Sequence, residues 1–216
     1  MILREVINPE QLYYALDPCC DDVTLCVADE IARAVSDAKR ALGRTVKVSY
    51  TSEKGIYTRM NRGVFETILS DMAFECCSGK LYPDELVFNC QSVRNRDPRG
   101  RDRIAVTVKS INSSGRENIP SKFEKDKKGS KLYFNYLCSV LCEKYGAEFT
   151  RSELENGCMC SIILDSVGLD RHIVMNSSKF DFHTDRFSTM TLSLAERHLE
   201  ERYKLIDIDS SSLEAE

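Results

Sequence analysis

The chain contains 216 residues, with 30 Lys or Arg against 34 Asp or Glu, so its formal net charge is −4. A hydrophobic share of 42 % and a charged share of 30 % are typical of a globular protein and exclude a disordered chain. The mild acidity argues against a nucleic-acid binder, which usually carries a basic surplus. No apolar run approaches the roughly 20 residues that span a bilayer, and no secretory signal is recognisable. We therefore expect a cytoplasmic protein without a membrane segment.

The first half of the chain alternates between helical and extended patterns. Residues 1–22 are predicted to be irregular. The segment 62–78 has the clearest amphipathic pattern, because its apolar residues recur at helical spacing along one stripe. That stripe consists of Phe65, Ile68, Leu69, Met72 and Cys76. In chain order, the predicted elements are a helix over Val27–Leu42, strands over Val46–Tyr50 and Ile56–Arg59, and a helix over Arg62–Ser78.

The second half is predicted to hold two pairs of strands separated by a polar loop and a helix. Asn156-Gly157 is a strong turn signal and predicts a hairpin. In chain order, the predictions are strands over Leu86–Cys90 and Arg103–Lys109, a loop over 110–130, a helix over Lys131–Tyr145, hairpin strands over Ala147–Thr150 and Cys158–Leu164, a strand over His172–Met175, and a helix over Thr189–Leu205.

The ten cysteines are interpreted as small buried hydrophobic residues. Cytosolic thiols stay reduced, and zinc sites usually show two C-x2–4-C pairs, or one pair with two histidines. Cys158-Met-Cys160 is tighter than such a pair, and the three histidines show no ligand spacing. No metal ligands are therefore predicted, and a metal or redox site stays open as the minor alternative. The cysteines are Cys19, Cys20, Cys26, Cys76, Cys77, Cys90, Cys138, Cys142, Cys158 and Cys160.

The order of these elements is similar to that of the ATP-binding domain of sensor histidine kinases, which belongs to the GHKL superfamily. The resemblance covers residues 25–165 and implies a two-layer α/β (α+β) sandwich, in which a mixed, mostly antiparallel sheet carries helices on one face. Four segments carry the resemblance. Arg62–Cys77 resembles the helix with the asparagine box, and Val106–Val108 resembles the strand before the D-x-G-x-G box. Leu137–Phe149 resembles the helix that ends in a glycine turn, and Glu155–Leu164 resembles the closing turn and strand.

The same resemblance implies a division of the chain. Residues 1–24 would form an irregular N-terminal segment, and residues 25–165 the ATPase-like domain. Residues 166–206 would add an extension with a helix, and residues 207–216 a disordered acidic tail. The loop 110–130 corresponds to the ATP lid of the family, and we expect it to be the most mobile internal segment.

In this family an asparagine on the long helix ligates Mg²⁺, which bridges the ATP phosphates. Matched by the apolar register of the helix, the two asparagine positions carry Ser70 and Phe74 here. A shift of register would bring Asp71 or Glu75 to that place, and either carboxylate could accept Mg²⁺. The resemblance thus implies a MgATP site only if these substitutes are functional.

The glycine boxes depart from the family pattern as well. The D-x-G-x-G stretch would begin at Ser110 and include Asn112, so it lacks both the carboxylate that binds adenine and the glycines. The second box retains only Gly129. Loss of the metal ligand and the adenine acceptor together would weaken nucleotide binding by roughly 3–6 kcal/mol, or about 10²–10⁴-fold.

Three functions are compatible with these residues. The first is a regulatory or interaction module of bacterial-type two-component signalling with weak or lost ATP binding, which acts on an unknown signalling protein or forms a homodimer. The second is a divergent but active ATPase or protein kinase that uses Asp71, Glu75 or Asn112. The third is an unrelated α+β protein in which the cysteines hold a metal. No catalytic residue is assigned, and no histidine precedes His172 to serve as a phosphoacceptor.

Overall fold

The computed structural model describes residues 22–78, 81–93, 102–117 and 143–168, together with Met190 and Leu194. In chain order the elements are strand β1 (Val23–Cys26), helix α1 (Val27–Leu42), strands β2 (Lys47–Ser52) and β3 (Tyr57–Met60), helix α2 (Arg62–Cys77), and strands β4 (Glu85–Val93), β5 (Arg103–Ile111), β6 (Glu148–Leu154) and β7 (Gly157–Asp165). Among these residues, no helix is both long and apolar enough to cross a membrane.

Five strands form one mixed sheet in the order β2-β4-β5-β7-β6. The pair β2 and β4 is parallel, and every other pair in this sheet is antiparallel. Strands β1 and β3 form a separate antiparallel ribbon. The predicted fold class, a mostly antiparallel sheet with helices on one face, is confirmed.

The two helices pack side by side on the sheet. Helix α1 lies against β2 and β4, and helix α2 lies against β5 and β7. Burial alternates along β7, as expected for a strand with one face toward a helix layer. The predicted apolar stripe of α2 is confirmed as core, because every member is at most 2 % exposed: Phe65, Ile68, Leu69, Met72 and Cys76.

Strand β1 is absent from the sequence-based prediction, which treats residues up to 22 as irregular and begins the first helix at Val27. The strand has only four residues, and its single buried side chain is Leu25. Its conformation depends on pairing with β3, where Leu25 lies opposite Thr58. A segment this short gives no periodic signal, so only its distant partner defines it.

The predicted loop over 110–130 is wrong in its first part. Strand β5 continues through Ile111, and residues 112–117 form a hydrogen-bonded turn that leads to a bridge between Leu81 and Glu117. The remainder of that loop lies outside the described residues, as do residues 1–21, 131–142 and 169–189 and the acidic tail. Residues 143–145 are helical, as predicted, and so are Met190 and Leu194, both of which are buried.

Candidate functional site

The asparagine-box positions of α2 lie at the boundary between core and surface. Ser70 is buried, and its hydroxyl donates a hydrogen bond of 2.9 Å to the carbonyl oxygen of Glu66 in the same helix. Phe74 is half-buried, and its carbonyl oxygen accepts a bond of 2.7 Å from the Ser78 hydroxyl. The Phe74 side chain has no oxygen to offer a magnesium ion, and the Ser70 hydroxyl is buried against its own helix.

The two carboxylates predicted as substitutes lie one turn apart on α2. Asp71 and Glu75 are both half-buried. The carboxylate of Glu75 lies 3.4 Å from Nε of Arg151 on strand β6. Glu75 therefore ties the C-terminal half of α2 to the edge of the sheet.

Ser110 belongs to the contact between β5 and β7. Its hydroxyl oxygen accepts a hydrogen bond of 2.9 Å from the backbone N–H of Cys158. The strands approach so closely that a Cβ at Gly157 would lie 2.1 Å from the carbonyl oxygen of Ser110. Ser110 thus stabilises the sheet at the position where the resemblance predicts the adenine-binding carboxylate of the family.

Asn112 organises the turn after β5. Its amide nitrogen donates to the carbonyl oxygens of Tyr82 and Arg116, and its side-chain oxygen accepts from the N–H of Gly115 at 2.7 Å. Its backbone N–H donates a hydrogen bond of 2.7 Å to the backbone carbonyl oxygen of Asn156. Every polar atom of this side chain is engaged within the chain, so Asn112 has a structural role here.

The turn after β5 is completed by the carboxylate of Asp84, a residue that the sequence analysis does not identify. Asp84 accepts the backbone N–H groups of Ser113 and Ser114 at 2.6 and 2.7 Å, and the Ser114 hydroxyl at 2.9 Å. These hydrogen bonds lower the pKa of Asp84, because they stabilise its ionised form. Two adjacent N–H groups that could approach an anionic ligand are therefore occupied by a carboxylate of the chain itself.

Three thiols meet beneath the C-terminal end of α2. Cys76 from α2 and Cys158 and Cys160 from β7 have Sγ atoms that all lie within 4.8 Å of one another. Hydrogen bonds from the Cys160 and Cys76 thiols, followed by the charge of Arg151, lower the pKa of Cys158. The hydrogen bond with Cys158 raises the pKa of both Cys76 and Cys160, since it stabilises the protonated form of each of these thiols. We call these three residues the thiol cluster.

A cleft of about 430 Å³ opens beside Tyr145, next to the ends of β3 and β7. The Tyr145 hydroxyl donates to Asp22 at 2.8 Å and accepts the N–H of Asn61 at 3.4 Å. Burial raises the pKa of Tyr145. Because Asn61 caps α2 by accepting the N–H of Val64 at 3.2 Å, the phenol connects this cleft to the start of the helix.

An ion-pair cluster joins α1 to α2. Glu30 is buried, and its carboxylate lies 2.9 Å from Arg62 and 3.0 Å from Arg33. Arg33 also reaches Glu66 at 3.5 Å. Burial, followed by repulsion from Glu30, raises the pKa of Glu66. This cluster holds the two helices together and presents no nucleophile.

Comparison with known proteins gives structural matches only, since no family model and no curated protein matches the chain. Full-length ShkA in complex with AMPPNP is 12 % identical, with a TM-score of 0.53 over 77 % of this chain and 36 % of that one. Histidine kinase ThkA in complex with response regulator TrrA is 10 % identical, with a TM-score of 0.53 over 76 % and 47 %. A histidine kinase from Burkholderia phymatum is 10 % identical, with a TM-score of 0.50 over 76 % and 78 %.

The chain has the GHKL fold of histidine kinase catalytic domains. The family resemblance drawn from the order of elements is thereby confirmed at the level of the fold. Within this fold, three of the positions where the resemblance implies a MgATP site, Ser70, Ser110 and Asn112, are hydrogen-bonded within the chain. Gly129 lies outside the described residues.

Two features of this GHKL fold were missed at the sequence level. The thiol cluster had a partial signal, because Cys158 and Cys160 alternate on a predicted strand and Cys76 lies on the inward stripe of a predicted helix. The contact between that helix and that strand was the missing information. Asp84 had no signal, since a single acidic residue after Pro83 does not indicate a partner 29 residues away.

Proposed function

We propose that the protein is a GHKL-fold module of bacterial-type signal transduction that regulates or binds a partner and has weak or lost ATP binding. The observation that carries this proposal is the pairing of Asp84 with the N–H groups of Ser113 and Ser114. In a nucleotide site, backbone N–H groups after this strand would be available to the ligand. Here an anionic ligand would have to displace a carboxylate that is covalently part of the chain.

The partner is proposed from the same fold. The ThkA structure is a complex with a response regulator, which supports a protein of that class as the partner. A second copy of this chain is the other proposed partner. The net charge of −4 supports a protein rather than a nucleic acid as the partner. The free cysteines of the described residues support the cytoplasm, where thiols stay reduced, as the compartment.

Isothermal titration with MgATP and MgADP tests the loss of nucleotide binding. We expect no heat of binding at micromolar ligand, because the loss of two ligand groups corresponds to about 10²–10⁴-fold in affinity. The catalytic domain of ThkA, titrated in parallel, serves as the reference protein with the same fold. Micromolar binding of either nucleotide to this protein would overturn the proposal.

A divergent active ATPase or protein kinase is the second candidate. Its support is the pair of half-buried carboxylates, Asp71 and Glu75, one turn apart on α2, and the presence of AMPPNP in the ShkA structure. If ATP turnover is detected, Asp71→Asn and Glu75→Gln should reduce it at least about tenfold. The exposed Glu155→Gln is the matched control. Turnover that survives both substitutions would remove this candidate.

A further inference from the structure

The thiol cluster has the geometry of a ligand set. Cys158 and Cys160 project from alternate positions of β7 toward the helix layer, and Cys76 comes down from α2 to meet them. All three are at most 2 % exposed. Three buried cysteines, whose thiolates are ligands for soft metal ions, thus converge from two elements that are far apart in the sequence.

The spacing fits a thiophilic cation. A zinc–thiolate bond of about 2.3 Å places neighbouring sulfur atoms about 3.8–4.0 Å apart. The Sγ atoms of the thiol cluster all lie within 4.8 Å, so an ion at their centre requires at most small side-chain rotations. No other Cys, His, Asp or Glu in the described part of the chain joins this group. The Cys76 thiol donates a hydrogen bond of 3.2 Å to the carbonyl oxygen of Val108, so that oxygen lies next to one of the three sulfur atoms.

The charge balance favours a divalent ion. Three thiolates and one divalent cation carry a net charge of −1, whereas a monovalent cation would leave −2 in the core. Arg151 on β6 lies close enough to Cys158 for its positive charge to favour the thiolate, although its guanidinium also pairs with Glu75 and Glu153. Glu75 shares the same guanidinium at 3.4 Å and keeps it oriented.

We propose that Cys76, Cys158 and Cys160 form a three-thiolate site for a divalent thiophilic cation, namely Zn²⁺. Binding requires all three thiols to be deprotonated, the protons pass to solvent, and no oxidation state changes. The ion would clamp the C-terminal end of α2 to β7. The ligands belong to two elements that come together only when the chain folds, so binding of the metal would add to the stability of the fold.

Metal analysis of the intact protein, purified in reducing buffer without chelator, is the first test. We expect about one zinc per chain, and a fall in melting temperature after chelation that added Zn²⁺ reverses. Cys76→Ala, Cys158→Ala and Cys160→Ala should each lose the metal. Cys90→Ala is the matched control, because Cys90 is an equally buried cysteine of β4 outside the cluster.

A spectroscopic readout separates ligation from a general loss of folding. Co²⁺ added to the metal-free wild-type protein should give the absorption bands of sulfur-to-cobalt charge transfer, and Zn²⁺ should displace them. This measurement needs no variant to fold. Absence of these bands, absence of any shift in melting temperature with Zn²⁺, or metal retained equally in all three variants would overturn the proposal.

Discussion

Substitution of Gly157 by alanine is the sharpest structural test of the contact between β5 and β7. A Cβ at this position would lie 2.1 Å from the carbonyl oxygen and 2.9 Å from the carbonyl carbon of Ser110. Both atoms belong to the backbone of a central strand, so they cannot rotate away as a flexible side chain would. The substitution must therefore separate the start of β7 from the end of β5.

The expected cost follows from two losses. Overpacking a well-packed interior costs about 1–3 kcal/mol when the backbone has to shift. The separation also breaks the 2.9 Å hydrogen bond from the N–H of Cys158 to Ser110 Oγ, and a buried donor left without a partner costs about 1–3 kcal/mol. We therefore expect Gly157→Ala to lower the free energy of unfolding by about 3 kcal/mol.

Urea unfolding followed by circular dichroism measures this effect. Gly168→Ala is the matched control, because a Cβ at Gly168 meets no atom within 4 Å and the residue is exposed. We expect a change within about 0.5 kcal/mol for this control. If Gly157→Ala also changes stability by less than 1 kcal/mol, the close approach of β5 and β7 would be refuted.

Three further predictions concern the polar groups that position the elements. Asp84→Asn should destabilise the protein at pH 7. Because the folded pKa of Asp84 is lowered, the difference from wild type should begin to shrink below about pH 4 and be lost as pH falls through the folded pKa. Urea midpoints at several pH values measure this difference. Glu30→Gln should cost about 1–3 kcal/mol in urea unfolding, less than a fully buried pair, because the Arg62 side chain is 51 % exposed. Tyr145→Phe should cost about 0.5–1.5 kcal/mol by thermal unfolding, since it removes the bond to Asp22.

A specific result would contradict each of these three predictions. A constant Asp84→Asn difference from pH 7 down to pH 3 would mean that the carboxylate's ionisation is irrelevant to the turn. An effect of Glu30→Gln no larger than that of the exposed Glu155→Gln would show that the pairs with Arg33 and Arg62 contribute nothing. If the Tyr145→Phe protein were as stable as wild type, the hydrogen bonds of the Tyr145 hydroxyl would not stabilise the start of α2.

The elements of the sheet and of α2 could be predicted because their own residues encode them. The stripe from Phe65 to Cys76 repeats at helical spacing, and Asn156-Gly157 specifies the hairpin between β6 and β7. Strand β1 could not be predicted in this way, since only its pairing with β3 makes it extended. The order of elements then sufficed for the fold, although the overall sequence identity to the matched structures is only 10–12 %.

The chemistry could be predicted less well, because it depends on contacts between distant segments. Ser110 and Asn112 were identified as positions that lack the family's groups, and the sequence could not show that they bond to Cys158 and Tyr82 instead. The thiol cluster joins residues 82 positions apart. Motif spacing detects residues that are close together in the chain. In the thiol cluster, only Cys158 and Cys160 on β7 are close in this sense.

Under the proposed function, the departure from the glycine-box pattern and the presence of Asp84 are connected. A turn after β5 that approaches a nucleotide needs glycines and free N–H groups, and such a turn is costly to maintain without the ligand. In the proposed function, the N–H groups of Ser113 and Ser114 correspond to such donors, and Asp84 accepts a hydrogen bond from each of them. The carboxylate therefore stabilises the turn in the absence of a nucleotide. Removal of Asp84 alone would leave unsatisfied donors but would supply neither a metal ligand nor an adenine acceptor, so it should not create ATP binding.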